Sequence, residues 1–158
     1  MNKLLLCFFL VCGTASAETN VVGHMKLNLT VGLEVSEICS MNWGKLVSTG
    51  EGLCTVNELG RTASGKVTIS ESDYSTNQFN IRGGQSATCG LSLPTSATVS
   101  NGVTTLQIIN LTSNAVNGVI TLNASGEGLL KVGGTVVVPS TFVGGNFNGV
   151  YNFILNYN

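Results

Sequence analysis

A chain of 158 residues with seven Lys and Arg, eight Asp and Glu and one His carries a formal net charge of −1. So few charges, with no basic cluster, argue against a nucleic-acid surface, while the apolar content suffices for one packed domain. The abundance of Gly, Ser, Thr, Asn and Val, and the lack of runs with helical spacing, point to an all-β chain with many turns.

Residues 1–17 read as a secretory signal peptide. Met1-Asn2-Lys3 is a short basic start, Leu4 to Cys12 is an apolar run too short to cross a bilayer, and Ala15-Ser16-Ala17 is an A-x-A cleavage site. Val11 stands where a lipoprotein signal takes a small residue, which argues against lipidation at Cys12. Cleavage before Glu18 leaves six basic and eight acidic residues, a net charge of −2, and no later run long enough for a transmembrane helix. Cys39, Cys54 and Cys89 remain. An oxidising compartment then predicts one disulfide and one odd thiol, with three pairings open.

Residues 18–24 are polar and read as a mobile lead-in. From Met25 the chain alternates strictly: Met25, Leu27, Leu29, Val31, Leu33 and Val35 share one face, and Lys26, Asn28, Thr30, Gly32 and Glu34 the other. Period two over this length is a long half-buried strand. Ile38 to Val47 continues as a second strand region with the single Trp43, and the Gly-containing stretch 48–64 reads as a long loop. Strands follow at Gly65–Ser70, around Phe79 and Ile81, and from Ala87 to Leu93, where Pro94 stops the run. Asn101-Gly102 and Asn117-Gly118 are turn signals on either side of a strand at Thr104–Thr112. Val119–Leu122, one or two strands around Gly133-Gly134, and a last strand from Val150 to Tyr157 complete the pass. About seven to nine short strands with regular turns imply a β-sandwich, immunoglobulin-like in kind.

Five segments, in order, resemble the motifs of pilin-like bacterial domains. They are Met41-Asn42-Trp43-Gly44-Lys45-Leu46-Val47, Gly65-Lys66-Val67-Thr68-Ile69, Leu91-Ser92-Leu93-Pro94, Val132-Gly133-Gly134-Thr135-Val136-Val137-Val138, and Gly149-Val150-Tyr151 with Leu155-Asn156-Tyr157. On these the chain is identified as a member of the family called domain of unknown function 4402, distantly related to chaperone–usher and spore-coat-protein-U-like pilins. Cys54, the odd cysteine count and the residues before Leu93-Pro94 depart from that pattern.

The resemblance implies a division into signal peptide (1–17), N-terminal extension and candidate donor strand (18–37), and pilin-like sandwich (38–158). It also implies a structural subunit, exported through the Sec route to the periplasm and the cell surface, that assembles by donor-strand exchange. Its partners would be copies of itself or related subunits, with a periplasmic chaperone and an outer-membrane usher. The donor face would be Met25, Leu27, Leu29, Val31, Leu33 and Val35, with the donor portion at about Asn20 to Leu29. The last strand, expected to lack a following partner, would carry the polymerisation motif: Gly145, Tyr151, Phe153, Leu155 and Tyr157. With the first strand antiparallel beside Phe79–Ile81, Cys39 and Cys89 fall near one end of the sandwich. That favours a Cys39–Cys89 bridge, with Cys54 free or an alternative partner.

Chemical constellations are missing from the sequence. His24 is a lone histidine in the lead-in, Asp73 and Glu71 share a turn, and the cysteines lack zinc spacing. Gly60-Arg61-Thr62-Ala63-Ser64-Gly65-Lys66-Val67 nearly spells a phosphate-binding loop but puts Val67 where Ser or Thr must stand, and leads into a strand. No enzyme, metal or cofactor is therefore expected. The alternative is a monomeric adhesin or glycan-binding sandwich using loops 48–64 and 140–149, with Phe142 and Phe147 as its aromatics. A small outer-membrane barrel would need longer strands and aromatic girdles.

Overall fold

The computed structural model describes residues 26, 27, 29 and 31–158; the expected signal peptide, His24 and Met25 lie outside the described residues. Ten strands follow in order: β1 (Glu34–Cys39), β2 (Leu46–Asn57), β3 (Gly60–Ile69), β4 (Asn77–Arg82), β5 (Thr88–Ser92), β6 (Ser96–Ser100), β7 (Thr105–Ser113), β8 (Val119–Thr121), β9 (Glu127–Val138) and β10 (Ile154–Tyr157). All pairings are antiparallel, and no helix occurs among the described residues. The chain is an all-β sandwich, as the turn spacing predicts.

The spine is β9. Val132 lies opposite Asn77 of β4 and opposite Ser113 of β7, whereas Val136 lies opposite Cys54 of β2 and Ile108 of β7. A residue has one partner per edge, so β4 and β2 follow one another along one edge of β9 while β7 holds the other. The sheet grows outwards to β1 beyond β4, β3 beyond β2 and β6 beyond β7, giving seven strands. The second layer has only three, in the order β10-β5-β8.

This inequality splits the core. Ile81, Cys89, Ile120, Leu122, Leu130 and Val132 are buried between the two layers, with Leu33, Phe79, Tyr151, Phe153, Leu155 and Tyr157 packed around them. Cys54, Val67, Leu106, Ile108, Val136 and Val138 form a second cluster at the other end of β9. Among the residues that flank it, Trp43, Phe142 and Phe147 come from irregular segments, and the others belong to strands of the large sheet itself.

Several sequence expectations are corrected. Residues 48–64 are the β2–β3 hairpin, closed where Asn57 Oδ1 accepts the Leu59 N–H at 2.9 Å. The inward positions of β2 run Gly50, Gly52, Cys54, Val56, and two glycines hide the period. Strand β6 was not anticipated. Residues 40–45 and 150–153 are irregular apart from one bridge at Asn42, so both flanking strands are shorter than the sequence suggests. Leu33 to Glu37, assigned from sequence to the extension, belong to the domain, since β1 pairs with β4. The expected turns do form: Asn117 and Gly118 both have positive φ, as a type I′ hairpin requires, and Asn101 Oδ1 accepts the N–H groups of Val103 and Thr104.

The Cys39–Cys89 bridge is not formed; Cys39, Cys54 and Cys89 are all free. A bulge between Glu37 and Cys39 sets Glu37 opposite Phe79 but Cys39 opposite Gln78. Directly opposed residues share a face, so the extra residue turns Cys39 to the outer side of the sheet while Cys89 points into the core. Burial pushes the Cys89 thiol above its usual range, and does the same for Cys54 despite the opposing charge of Arg61.

Leu130 is fully buried where the two layers do meet. Leu130→Ala is expected to cost about 2–5 kcal/mol in urea denaturation, the usual range for a leucine cavity.

Candidate functional site

Where the second layer is missing, an open groove of about 1160 Å³ lies on the large sheet. Its floor crosses the strands in register: Ala97 faces Ile108 and Ile108 faces Val136, the latter two being largely buried. Val99, Leu106, Leu111 and Val138 extend it lengthwise. Leu111 packs against both clusters and follows Asn110, whose positive φ marks the bulge in β7 where the covered half gives way to the open one.

One wall is the segment from Met41 to Leu46. Trp43 holds it down by donating its indole N–H to the Gly134 carbonyl at 3.1 Å. From behind, the Arg61 guanidinium donates to the carbonyls of Trp43 at 2.6 Å, Asp73 at 3.2 Å and Glu71, and lies 4.9 Å over the Tyr74 ring. Gly44 has φ of +68°, and a Cβ there would collide with the Asp73 carbonyl. The Met-Asn-Trp-Gly-Lys motif thus builds a wall, and Gly133-Gly134 lies where β9 passes from covered to open core.

The opposite wall runs from Phe147 to Phe153. Asn148 and Ser100 exchange both backbone hydrogen bonds, at 2.8 and 3.0 Å, which ties the wall to the sheet edge. A Cβ on Gly149 would strike the Thr98 carbonyl, so only glycine lets the chain lie this close to β6. Further along, the Tyr151 hydroxyl donates to Asn77 Oδ1 at 2.7 Å, and Asn77 Nδ2 donates to Glu37 Oε1 and to the Cys39 carbonyl, both at 2.7 Å. Burial, and secondarily the Glu37 charge, push the Tyr151 phenol well above the ordinary tyrosine range. Phe153 closes the groove's inner end edge-on against Phe79, with centroids 4.9 Å apart.

Among the described residues, the backbone N–H and C=O groups of Val150, Tyr151 and Asn152 make no hydrogen bond. Their side chains still alternate as in a strand, Tyr151 inward and Val150 90 % exposed. An extended, unpaired backbone segment thus lies beside the groove.

The residues singled out from the sequence fall in three places. Tyr151, Phe153, Leu155 and Tyr157 all pack on the covered core, and Tyr157 Oη accepts the Gly84 N–H at 2.9 Å. Gly145 lies in the loop at the groove, where Asn101 Nδ2 donates to the neighbouring carbonyls of Val143 and Gly144. On the candidate donor face, Leu33 packs into the core and Val35 is part of β1. Leu27, Leu29 and Val31 are 84 %, 89 % and 62 % exposed and touch neither cluster. Sequence reading missed Arg61, Asn77, Glu37 and the floor residues of β6. Only β6 had a usable signal, the alternation Ser96-Ala97-Thr98-Val99-Ser100 before Asn101-Gly102.

The fold and this groove define a β-sandwich with one half of its core covered by loops and aromatic side chains rather than by a facing sheet. Residues 33–157 match the family described as domain of unknown function (DUF4402), and the chain belongs to that family, in agreement with the motif order. No curated protein and no solved structure matches it.

Tyr151→Phe should lower stability by about 1–2 kcal/mol, because Asn77 Oδ1 is left without its donor. The raised phenol pKa adds a pH signature. Folding favours the neutral phenol, so its contribution is complete below the ordinary tyrosine range near pH 10 and is lost as pH rises beyond it. Denaturation midpoints measured from pH 8 to 11.5 should fall more steeply for the parent protein than for Tyr151→Phe.

Proposed function

We propose that this protein is an exported structural subunit of a bacterial surface fibre or coat, built by β-strand addition between copies. The observation that carries this reading is the groove: an aliphatic floor, with Val150 to Asn152 offering unpaired backbone beside it. A β-strand with apolar residues at every second position satisfies both at once. The same chain presents such a segment, since Leu27, Leu29 and Val31 alternate and lie exposed. The signal-like residues 1–17 and the resemblance to pilins support export, with a periplasmic chaperone shielding the groove before an outer-membrane usher joins the subunits. No catalytic role or cofactor is part of this reading.

Trp43, Phe142, Phe147 and Tyr151 gather at one groove, which gives the glycan-binding alternative more aromatic surface than the sequence suggests. The floor between them is aliphatic, and the polar groups of the groove, such as Asn42, Lys45, Asp73 and Asn146, lie on its walls.

Two variants test the proposal. Deleting residues 18–31 should abolish assemblies that survive cold detergent and dissociate on heating. Leu27→Asp with Leu29→Asp should do the same without changing the subunit's own circular dichroism, because both side chains are exposed in the single chain. If both variants form the same ladder as the parent, strand addition by this segment is wrong.

A further inference from the structure

We propose that the outer face of the large sheet, across β6-β7-β9-β2-β3, is a second contact surface, and that its occupant is the same face of another copy. The two faces pack about a two-fold axis that runs along the strands between β9 and β2. This surface lies on the side of the sheet away from the groove, so it joins copies side by side. Its use between fibres rests on the strand-addition reading; the pairing itself does not.

Register builds the face. Directly opposed residues share one side of the sheet, and Ile108, Val136 and Cys54 point into the core. The residues on either side of them in each strand therefore point out. One outer row crosses all five strands through Ser96, Ile109, Thr135, Thr55 and Thr62, and the next through Thr98, Gln107, Val137, Leu53 and Ser64. Neither row carries a charge. In the first, the Thr55 and Thr135 hydroxyls hydrogen-bond to each other at 2.8 Å, which satisfies the polar groups at the centre. In the second, Leu53 and Val137 stand side by side, and Leu53 is 39 % exposed. An aliphatic centre within a rim of uncharged Ser, Thr and Gln has the anatomy of a protein contact, in which charge is depleted at the core. The other half of the same outer face differs. There Glu34, Arg82 and Glu127 lie opposite one another across β1, β4 and β9, and Arg82 pairs with Glu127 at 3.4 Å.

Charge at the border selects a copy as the occupant. Along the outer side of β9, Lys131 precedes Gly133, Thr135 and Val137, and its Nζ lies 3.6 Å from Glu58 Oε1 in the turn after β2. Lys131 thus stands on the β9 side of the proposed axis and Glu58 on the β2 side. The two-fold lays β9 of one copy over β2 of the other, and β7 over β3. Leu53 then meets the partner's Val137, Gln107 meets the partner's Ser64, and Glu58 meets the partner's Lys131, an opposite-charge contact made twice. An uncharged face closed by such a pair meets itself without like-charge repulsion. Past Val137 the next charges are Glu51 and Lys66, at the bulge in the β2–β3 pairing.

Area sets the strength. Five strands at about 4.8 Å spacing, and six steps from Lys131 to Val137, give about 24 by 20 Å. That is about 500 Å² on each copy, below the roughly 800 Å² per partner of a standard stable interface. A single pair is therefore weak. Copies held in line in a polymer present the face many times over, and avidity then makes the same contact effective between neighbouring fibres.

Full chain carrying Leu27→Asp and Leu29→Asp, which removes strand addition, isolates the face. Under reducing conditions, which keep Cys39 from linking copies, sedimentation equilibrium from about 10 μM to about 1 mM should show a reversible monomer–dimer equilibrium with Kd near the upper end of that range. In this background Leu53→Asp, and separately the exposed Gln107→Arg, should each weaken pairing at least about tenfold with unchanged circular dichroism. Glu58→Lys and Lys131→Glu should each weaken it about fivefold, and an equal mixture of the two should recover to within about twofold of the background. A background protein that stays monomeric throughout overturns the proposal. Pairing indifferent to both Leu53→Asp and Gln107→Arg places the contact elsewhere and overturns it too. A mixture that does not recover overturns the two-fold axis. In the chain able to assemble, Gln107→Arg should leave the detergent-stable ladder intact and abolish lateral bundles in electron micrographs; bundles that persist overturn the side-by-side role. Absence of any ladder in the parent overturns strand addition instead, and leaves the pairing face to be judged by sedimentation alone.

Discussion

The small sheet β10-β5-β8 covers the half of β9 that carries Leu130 and Val132; above the half that carries Val136 and Val138 there are only loops and three aromatic rings. Seven strands opposed by three leave half of the large sheet covered by irregular segments instead of a facing sheet, with a groove between them, and the other features of the molecule follow from that shortage. A buried aliphatic side chain is worth about 1.5–3 kcal/mol relative to one left in water. In the row Ala97, Ile108 and Val136 the last two are already buried beneath the segments that carry Trp43, Phe142 and Phe147, so an apolar group entering the groove gains mainly from those flanking rings and the floor's remaining exposure. Open apolar floor beside an unpaired strand edge is also an aggregation hazard, which a protein must either cover or use.

The walls explain why the groove does not close on itself. Hydrophobic collapse would draw the Met41–Leu46 and Phe147–Phe153 segments together over the floor. Polar anchors oppose this. Arg61 grips three carbonyls behind one wall, and the Tyr151–Asn77–Glu37 chain fixes the other to β4 and β1. These contacts are directional and lie away from the floor, so they set the separation of the walls without filling the space between them. The two inward-facing aromatics nearest the closed end, Tyr151 and Phe153, belong to the covered core, and the opening starts beyond them.

Much of the architecture could be read from the chain. The turn pairs Asn101-Gly102 and Asn117-Gly118 were visible because a positive-φ turn restricts residue choice so strongly, and the alternation from Tyr151 to Tyr157 survives in the packing. The β2 strand was hidden because Gly50 and Gly52 occupy inward positions where an apolar residue would have shown the period. The disulfide expectation failed for a different reason: one extra residue in β1 reverses which face Cys39 shows, and bulges of that kind leave no compositional trace. Of the groove, the sequence shows the apolar residues of the floor but not which segments cover them. A residue covered by loops looks the same in the sequence as one covered by a facing sheet. Arg61 and Asn77 were invisible because their partners are mostly backbone carbonyls and residues distant in the chain.

The central proposal is that the unpaired Val150–Asn152 segment beside the groove takes up a β-strand. Amide hydrogen exchange on the subunit lacking residues 18–31, with and without a peptide of that sequence, measures this directly. The account predicts that amides in Val150–Asn152 exchange freely in the truncated subunit, while those of β9 are protected, and that the peptide slows the former markedly. Protection of Val150–Asn152 in the truncated subunit alone, or no change when the peptide is added, would contradict it.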